Sequence, residues 1–174
     1  MQKAILLAAM TVVPTPKTLL DIGCGNGSFT RALANELPYA YITALDTKVP
    51  DNPANFTGIN FVQGCVEALP FQNDSFDIVT ASMSLHHWAR KDVGIFQAFR
   101  VLKSGGSLII GDPLLVGWLS KPFWAKWMQK LDKGTFATPT EITTNLEAAG
   151  FVDIGISVVP NSLSSLYLIT AIKP

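Results

Sequence analysis

Apolar and polar positions along this chain follow two spacings in turn. TLLDI (18–22) is a short apolar run that closes on an acid and then glycines, and it reads as a buried strand feeding a tight turn. SFTRALANEL, directly after it, has helical spacing. AYITALD (40–46), INFVQ (59–63) and FDIVTAS (76–82) predict strands two, three and four. Pro50 and Pro53, between strands two and three, leave little room for a full crossover helix, which is expected to be reduced. Ile95, Phe96, Phe99 and Leu102 recur at helical intervals from Arg90 to Lys103. Gly105 and Gly106 are expected to stop that helix before SLIIGD, the fifth strand.

A later helix carries its own boundaries: Thr138 as N-cap, Pro139 in the first helical position, Glu141 to complete a capping box, and Gly150 just past the end. FVDIGISVV and LYLITAI then read as strands six and seven, joined only by PNSLSS. Parallel partners need a crossover of about a dozen residues or more, so this pair is expected to be antiparallel. The pattern predicts an α/β fold, a mostly parallel sheet closed by a C-terminal hairpin.

With 174 residues, 48% hydrophobic and 15% charged, the chain fits one compact domain (1–174) and excludes a disordered or coiled-coil protein. Thirteen Lys and Arg balance thirteen Asp and Glu, so no overall positive field draws in nucleic acid, and no nucleic-acid partner is expected. Cys24 and Cys65 alone make neither a disulfide framework nor a structural zinc site, and no metal is expected. The apolar stretch Ala4–Val13 imitates a secretory signal. No Ala-x-Ala-like site follows, however, and the stretch is too short to span a bilayer, so a short packed N-terminal helix and a cytoplasmic location are expected.

The candidate chemistry sits in LLDIGCGNGSFT, where Asp21, Gly23, Gly25 and Gly27 stand at intervals of two. Glycines there let a ligand approach the backbone, and the following helix offers free N–H groups to a carboxylate. Asp46, at the end of strand two, is placed to accept hydrogen bonds from both hydroxyls of a ribose. A dinucleotide motif would put its third glycine where Ser28 stands, which favours a different adenosine cofactor.

The D-x-G-x-G-x-G turn with its distal acid is followed in order by VEALPF (66–71), DSFDIV (74–79), SLHHW (84–88) and FRVLKSGGSL (99–108). From Leu19 to Leu108 the chain resembles the class I S-adenosylmethionine-dependent methyltransferases, in the small-molecule group often called type 11. The resemblance implies a Rossmann-like seven-stranded sheet in the order 3-2-1-4-5-7-6, with strand seven antiparallel and helices on both faces. It implies that Gly23, Gly25 and Gly27, with Cys24 in the same loop, hold the methionyl part of S-adenosylmethionine. Asp21 would orient the loop and reach the ammonium, Asp46 with Thr47 would hold the ribose, and Ala81 and Ser82 would face the methionine end. Where this family commonly has an Asp that accepts from the adenine amino group, this chain has Cys65, so adenine recognition falls to the Val66 backbone or to Glu67.

His86 follows strand four and Asp112 ends strand five, so the two can act as base and orienter if the acceptor must lose a proton. Scaffolding of a loop is the competing role for His86, and more so for His87. The segment from Ser120 to Lys133 reads as a basic amphipathic helix, with Phe123, Trp124, Trp127, Met128 and Leu131 on one face and Lys126, Lys130 and Lys133 on another. It is either a helix packed on the sheet or a cover whose Trp124 and Trp127 meet an apolar substrate, a subunit or a membrane surface. The sequence thus predicts a methyltransferase with a small-molecule acceptor. A noncatalytic cofactor-binding subunit and an NAD-dependent oxidoreductase are the rivals.

Overall fold

The computed structural model describes residues 2–13, 15–51, 53, 56–116, 134–159 and 166–174. The predicted helix carrying Trp124 and Trp127 lies outside the described residues. In chain order the elements are α1 (Gln2–Val12), β1 (Thr18–Ile22), α2 (Ser28–Glu36), β2 (Tyr41–Asp46), β3 (Ile59–Gln63), β4 (Phe76–Ser82), α3 (Lys91–Val101), β5 (Leu102–Pro113), α4 (Pro139–Ala149), β6 (Val152–Val158) and β7 (Leu166–Ile172). Short 3₁₀ turns cover Val66–Ala68 and Leu85–His87. No helix among the described residues is long and apolar enough to cross a membrane.

The strands form one sheet in the order β3-β2-β1-β4-β5-β7-β6. β1 to β5 are mutually parallel where they pair, while β7 runs antiparallel to both β5 and β6. Successive residues of a strand point to opposite faces, and both faces of the central strands are covered, so these strands are mostly apolar. Leu19, Ile42, Ile78 and Ile109 pack on one face with Ile5 and Ala9 of α1 and Phe29 and Leu33 of α2. Leu20, Val79, Leu108 and Ile110 pack on the other with Ile95 and Ala98 of α3 and Ile142 and Leu146 of α4.

The predicted hairpin is present, and so are the ends of α4. The Thr138 hydroxyl accepts from the Glu141 N–H at 3.2 Å, and Gly150 closes the helix at φ 102°. Between β2 and β3 no α-helix lies among the described residues. The end of α3 differs from expectation. The helix stops at Val101, because Leu102 already pairs with Phe76 of β4. The next β4 position in register, Ile78, pairs with Ser107, so residues 103–106 bulge out of β5. Gly105 and Gly106 serve that bulge: Gly105 has φ +75°, and a Cβ on Gly106 would lie 2.8 Å from the Lys103 carbonyl oxygen.

The starts of β1, β4 and β5 are tied together by Asp77. Its Oδ2 accepts from the backbone N–H groups of Lys17 and Thr18 at 2.8 and 2.9 Å, and its Oδ1 accepts from the Lys103 ammonium at 2.9 Å. Burial opposes ionisation of Asp77, but these donors outweigh it and hold its pKa below the usual carboxylate value.

Candidate active site

The site lies at the opposite, C-terminal end of the parallel strands, where an open α/β sheet presents its loops. After Ile22 the chain turns through three glycines in left-handed conformation, Gly23 (φ 75°), Gly25 (φ 53°) and Gly27 (φ 77°), into α2. The turn is bound to β2, since the Gly23 and Cys24 N–H groups donate to the Leu45 carbonyl at 2.7 and 3.2 Å. At Gly23 the glycine is obligatory for a second reason: a Cβ would sit 2.3 Å from Cβ of Ser84. Gly25 is the opposite case. Its missing Cβ would meet nothing within 4 Å, so its backbone faces open space.

Asp21 lies beneath the turn, 1% exposed, with Oδ2 accepting from the Thr30 hydroxyl at 2.6 Å and Oδ1 from the Thr80 hydroxyl at 2.9 Å. Burial pushes its pKa up to about 6, against the lowering effect of the two threonine bonds. Its carboxylate therefore links β1, α2 and β4 and orients the turn from below. Asp46 is on the surface of the site: Oδ2 accepts from the Gly25 N–H at 2.8 Å and Oδ1 from the Lys48 N–H at 3.1 Å.

A cleft of about 600 Å³ opens beside Asp46 and the glycine turn, a volume typical of small-molecule sites. Of the residues expected to bind cofactor, Gly23, Gly25, Asp46, Thr47, Cys65 and Val66 line it. Asp21, Cys24, Gly27, Ala81 and Ser82 are not among its described lining. Ala81 is fully buried in the core, pointing to the face opposite Thr80. Cys24 is nearly buried, and burial, with Asp21 and Asp46 nearby, pushes its thiol up to about 12, so it stays protonated. Gly27 packs against Phe56, whose ring would lie 2.8 Å from an added Cβ.

Met83, Ser84, His87 and Trp88 line the cleft without having been singled out as cofactor contacts. Ser84 donates to the Ile22 carbonyl at 2.9 Å and so pins the β4 end to the glycine turn. β4 ends at Ser82, and the two residues after it form this wall of the cleft. Glu67 also lines the cleft, with Oε1 accepting from the Arg90 N–H at 3.2 Å and Oε2 accepting from the exposed Cys65 thiol. Burial works against ionisation of Glu67, yet those donors keep its pKa below the ordinary value, while the bond to Glu67 raises that of Cys65.

His86 and Asp112 do come together. The His86 Nδ1 lies within hydrogen-bond distance of both Asp112 oxygens, at 2.9 and 3.0 Å, and the residues are 2% and 1% exposed. Burial raises the Asp112 pKa, and the His86 bond opposes that rise. His86 is not in the described lining of the cleft. His87 is, and its ring centroid lies 4.0 Å from that of His86.

A doubly covered sheet with a reversed seventh strand, a glycine turn after β1 and an acid closing β2 define the fold of the class I methyltransferases. A model of the methyltransferase domain, type 11, matches residues 20–110, and the chain belongs to that family. It is 30% identical over 144 residues to 2-methyl-6-phytyl-1,4-hydroquinone methyltransferase 1, chloroplastic, of Oryza sativa subsp. japonica, covering 79% of this chain and 42% of the relative. To malonyl-[acyl-carrier protein] O-methyltransferase of Methylococcus capsulatus it is 28% identical over 161 residues, 87% of this chain and 58% of that one. The chain thus spans about half the length of these curated relatives. Human N-acetylserotonin methyltransferase, solved with S-adenosylmethionine, superposes with a TM-score of 0.73 at 22% identity over 99% of this chain and 51% of that one, a likeness of fold.

Proposed function

We propose that the chain binds S-adenosylmethionine in the cleft between the glycine turn and the end of β4, and transfers its methyl group to a small-molecule acceptor. The observation that carries this reading is the pairing of Gly25, whose backbone faces open space, with the Asp46 carboxylate 2.8 Å from its N–H. An amide and a carboxylate side by side suit a ligand that joins an amino acid to a ribose. The cofactor supplies an electrophilic methyl on a sulfonium. The protein's part is mostly positioning, since holding two reactants in line can contribute on the order of 7–11 kcal/mol.

Within this reading, Asp46 and Thr47 hold the ribose, Cys65, Val66 and Glu67 border the adenine, and Gly23 lets the methionyl part approach. His86 and Asp112 stand at the acceptor end: Asp112 fixes the His86 tautomer by accepting from Nδ1, which leaves Nε2 as the ring atom suited to take a proton. An acceptor that must lose a proton, such as a hydroxyl, is the class such a pair serves.

Calorimetry and thermal melts with S-adenosylhomocysteine, S-adenosylmethionine and NAD test the assignment. Ligand at a hundred times its Kd adds about 2.7 kcal/mol of stability. The two adenosyl ligands are expected to raise Tm and NAD to leave it unchanged. Asp46→Ala is expected to weaken S-adenosylhomocysteine at least about tenfold, the loss of one charge-assisted hydrogen bond. Equal affinity in wild type and Asp46→Ala, or stabilisation by NAD alone, overturns the reading. Turnover of labelled cofactor with a metabolite extract separates an enzyme from a cofactor-binding subunit.

A further inference from the structure

Among the described residues, one short stretch of chain packs closely over His86. The Thr135 N–H donates to the His86 carbonyl at 2.7 Å, Phe136 stacks on the imidazole with centroids 5.1 Å apart and planes at 8°, and Gly134 sits so close that a Cβ would lie 2.7 Å from His86 Cδ2. Residues 134–137 therefore form a strap across His86, the histidine of the His86–Asp112 pair. At one end the Ala137 carbonyl accepts from the Leu115 N–H at 2.8 Å, and beyond it Thr138 caps α4. Among the described residues, a side-chain bond fastens its middle: the Lys91 ammonium donates to the Thr135 hydroxyl at 2.6 Å and to the Trp88 carbonyl at 3.3 Å.

Lys91 is a costly choice for that position. It is only 8% exposed, and it is the first residue of α3, where the helix dipole disfavours a cation. Burial lowers its pKa, with partial compensation from Glu141, Asp112 and Glu67. A neutral side chain would fill the same space without the desolvation cost, so the ammonium is there for the bond it makes. Trp88 lines the cofactor cleft and Thr135 belongs to the strap, so Lys91 joins the two.

We propose that Lys91 is a positioning residue that latches the strap 134–137 over the His86–Asp112 pair, and that release of this latch opens the pair to the acceptor. The proposal rests on the reading of His86 and Asp112 as the acceptor end of the site. A shut strap keeps water from the pair while no acceptor is present. Its opening exposes the imidazole without moving the sheet or the glycine turn.

His86 and His87 are the protein's only histidines, which makes the latch measurable without knowing the acceptor. In a His87→Gln background, the rate at which diethyl pyrocarbonate acylates His86, followed by the ultraviolet signature of the carbethoxylated ring, reports how often the strap opens. Lys91→Met and Thr135→Val, each removing one partner, are expected to speed that reaction about tenfold, as loss of one charge-assisted hydrogen bond predicts. Lys91→Arg, which keeps a cation, is expected to stay near the parent rate, and amide exchange in β1 and β4 is expected not to change. A parent-like rate in Thr135→Val, which preserves side-chain shape even if Lys91→Met does not fold, overturns the proposal. So does an acceleration matched by faster exchange throughout β1 and β4, which means general loosening. Failure of the parent to bind S-adenosylhomocysteine would remove the cofactor assignment and leave the His86 result standing.

Discussion

Asp21 and Thr80 are neighbours across two central strands, and the carboxyl they share with Thr30 titrates in an accessible range. Its pKa is raised from 3.8 to about 6 by burial, so between those values the folded protein holds a proton that the unfolded chain has lost. Stability from this group is therefore full below the unfolded pKa and declines as pH rises through about 6, by roughly 3 kcal/mol in all. Asp112, also raised, acts in the same direction. Urea melts at pH 4.5 and 7 are expected to show a smaller decline in Asp21→Asn than in wild type, because the amide keeps the threonine contacts without a charge to bury. At Gly23 the constraint is steric. Gly23→Ala meets Ser84 and adopts φ +75°, which together are expected to cost more than about 2 kcal/mol. Ser84→Gly in the same chain is expected to recover the steric part and leave the conformational part, a coupling read by a double-mutant cycle.

At the scale of elements, α4 offers the simplest test. Thr138→Ala removes the hydroxyl that accepts from Glu141 and is expected to cost about 1 kcal/mol in a denaturant melt, with cofactor binding unchanged. That helix was legible because each boundary signal acts within four residues of itself. The central strands β1 and β4 were legible for a related reason: burial on both faces makes them mostly apolar runs between turn residues. The β5 bulge was not, because it depends on Leu102 and Ser107 both finding partners in β4, a pairing no local pattern reports. The site divides along the same line. The glycine turn and Asp46 declare themselves through residue type and spacing. Met83 and Ser84 become part of the wall only because β4 docks beside β1, with Leu19 opposite Ile78. The burial of His86 depends likewise on residues 134–136, nearly fifty positions further along the chain.

Across the whole molecule, the Asp77 clamp and the candidate site occupy opposite ends of the sheet. Asp77→Asn loosens the clamp on the starts of β1, β4 and β5 and is expected to cost roughly 1–3 kcal/mol, while the Kd for S-adenosylhomocysteine stays as in wild type. Its pKa is lowered, so the clamp's contribution is present above the unfolded carboxylate value and lost as acid protonates the group. The sheet order has a consequence for how the chain is made. β1 lies between β2 and β4, so a chain leaving the ribosome can close one side of β1 when residue 46 has emerged, and the other only after residue 82. Over that interval β1 carries a bare edge and its Asp21 has Thr30 but no Thr80, so the nascent chain passes through a stage at which the glycine turn lacks part of its final support.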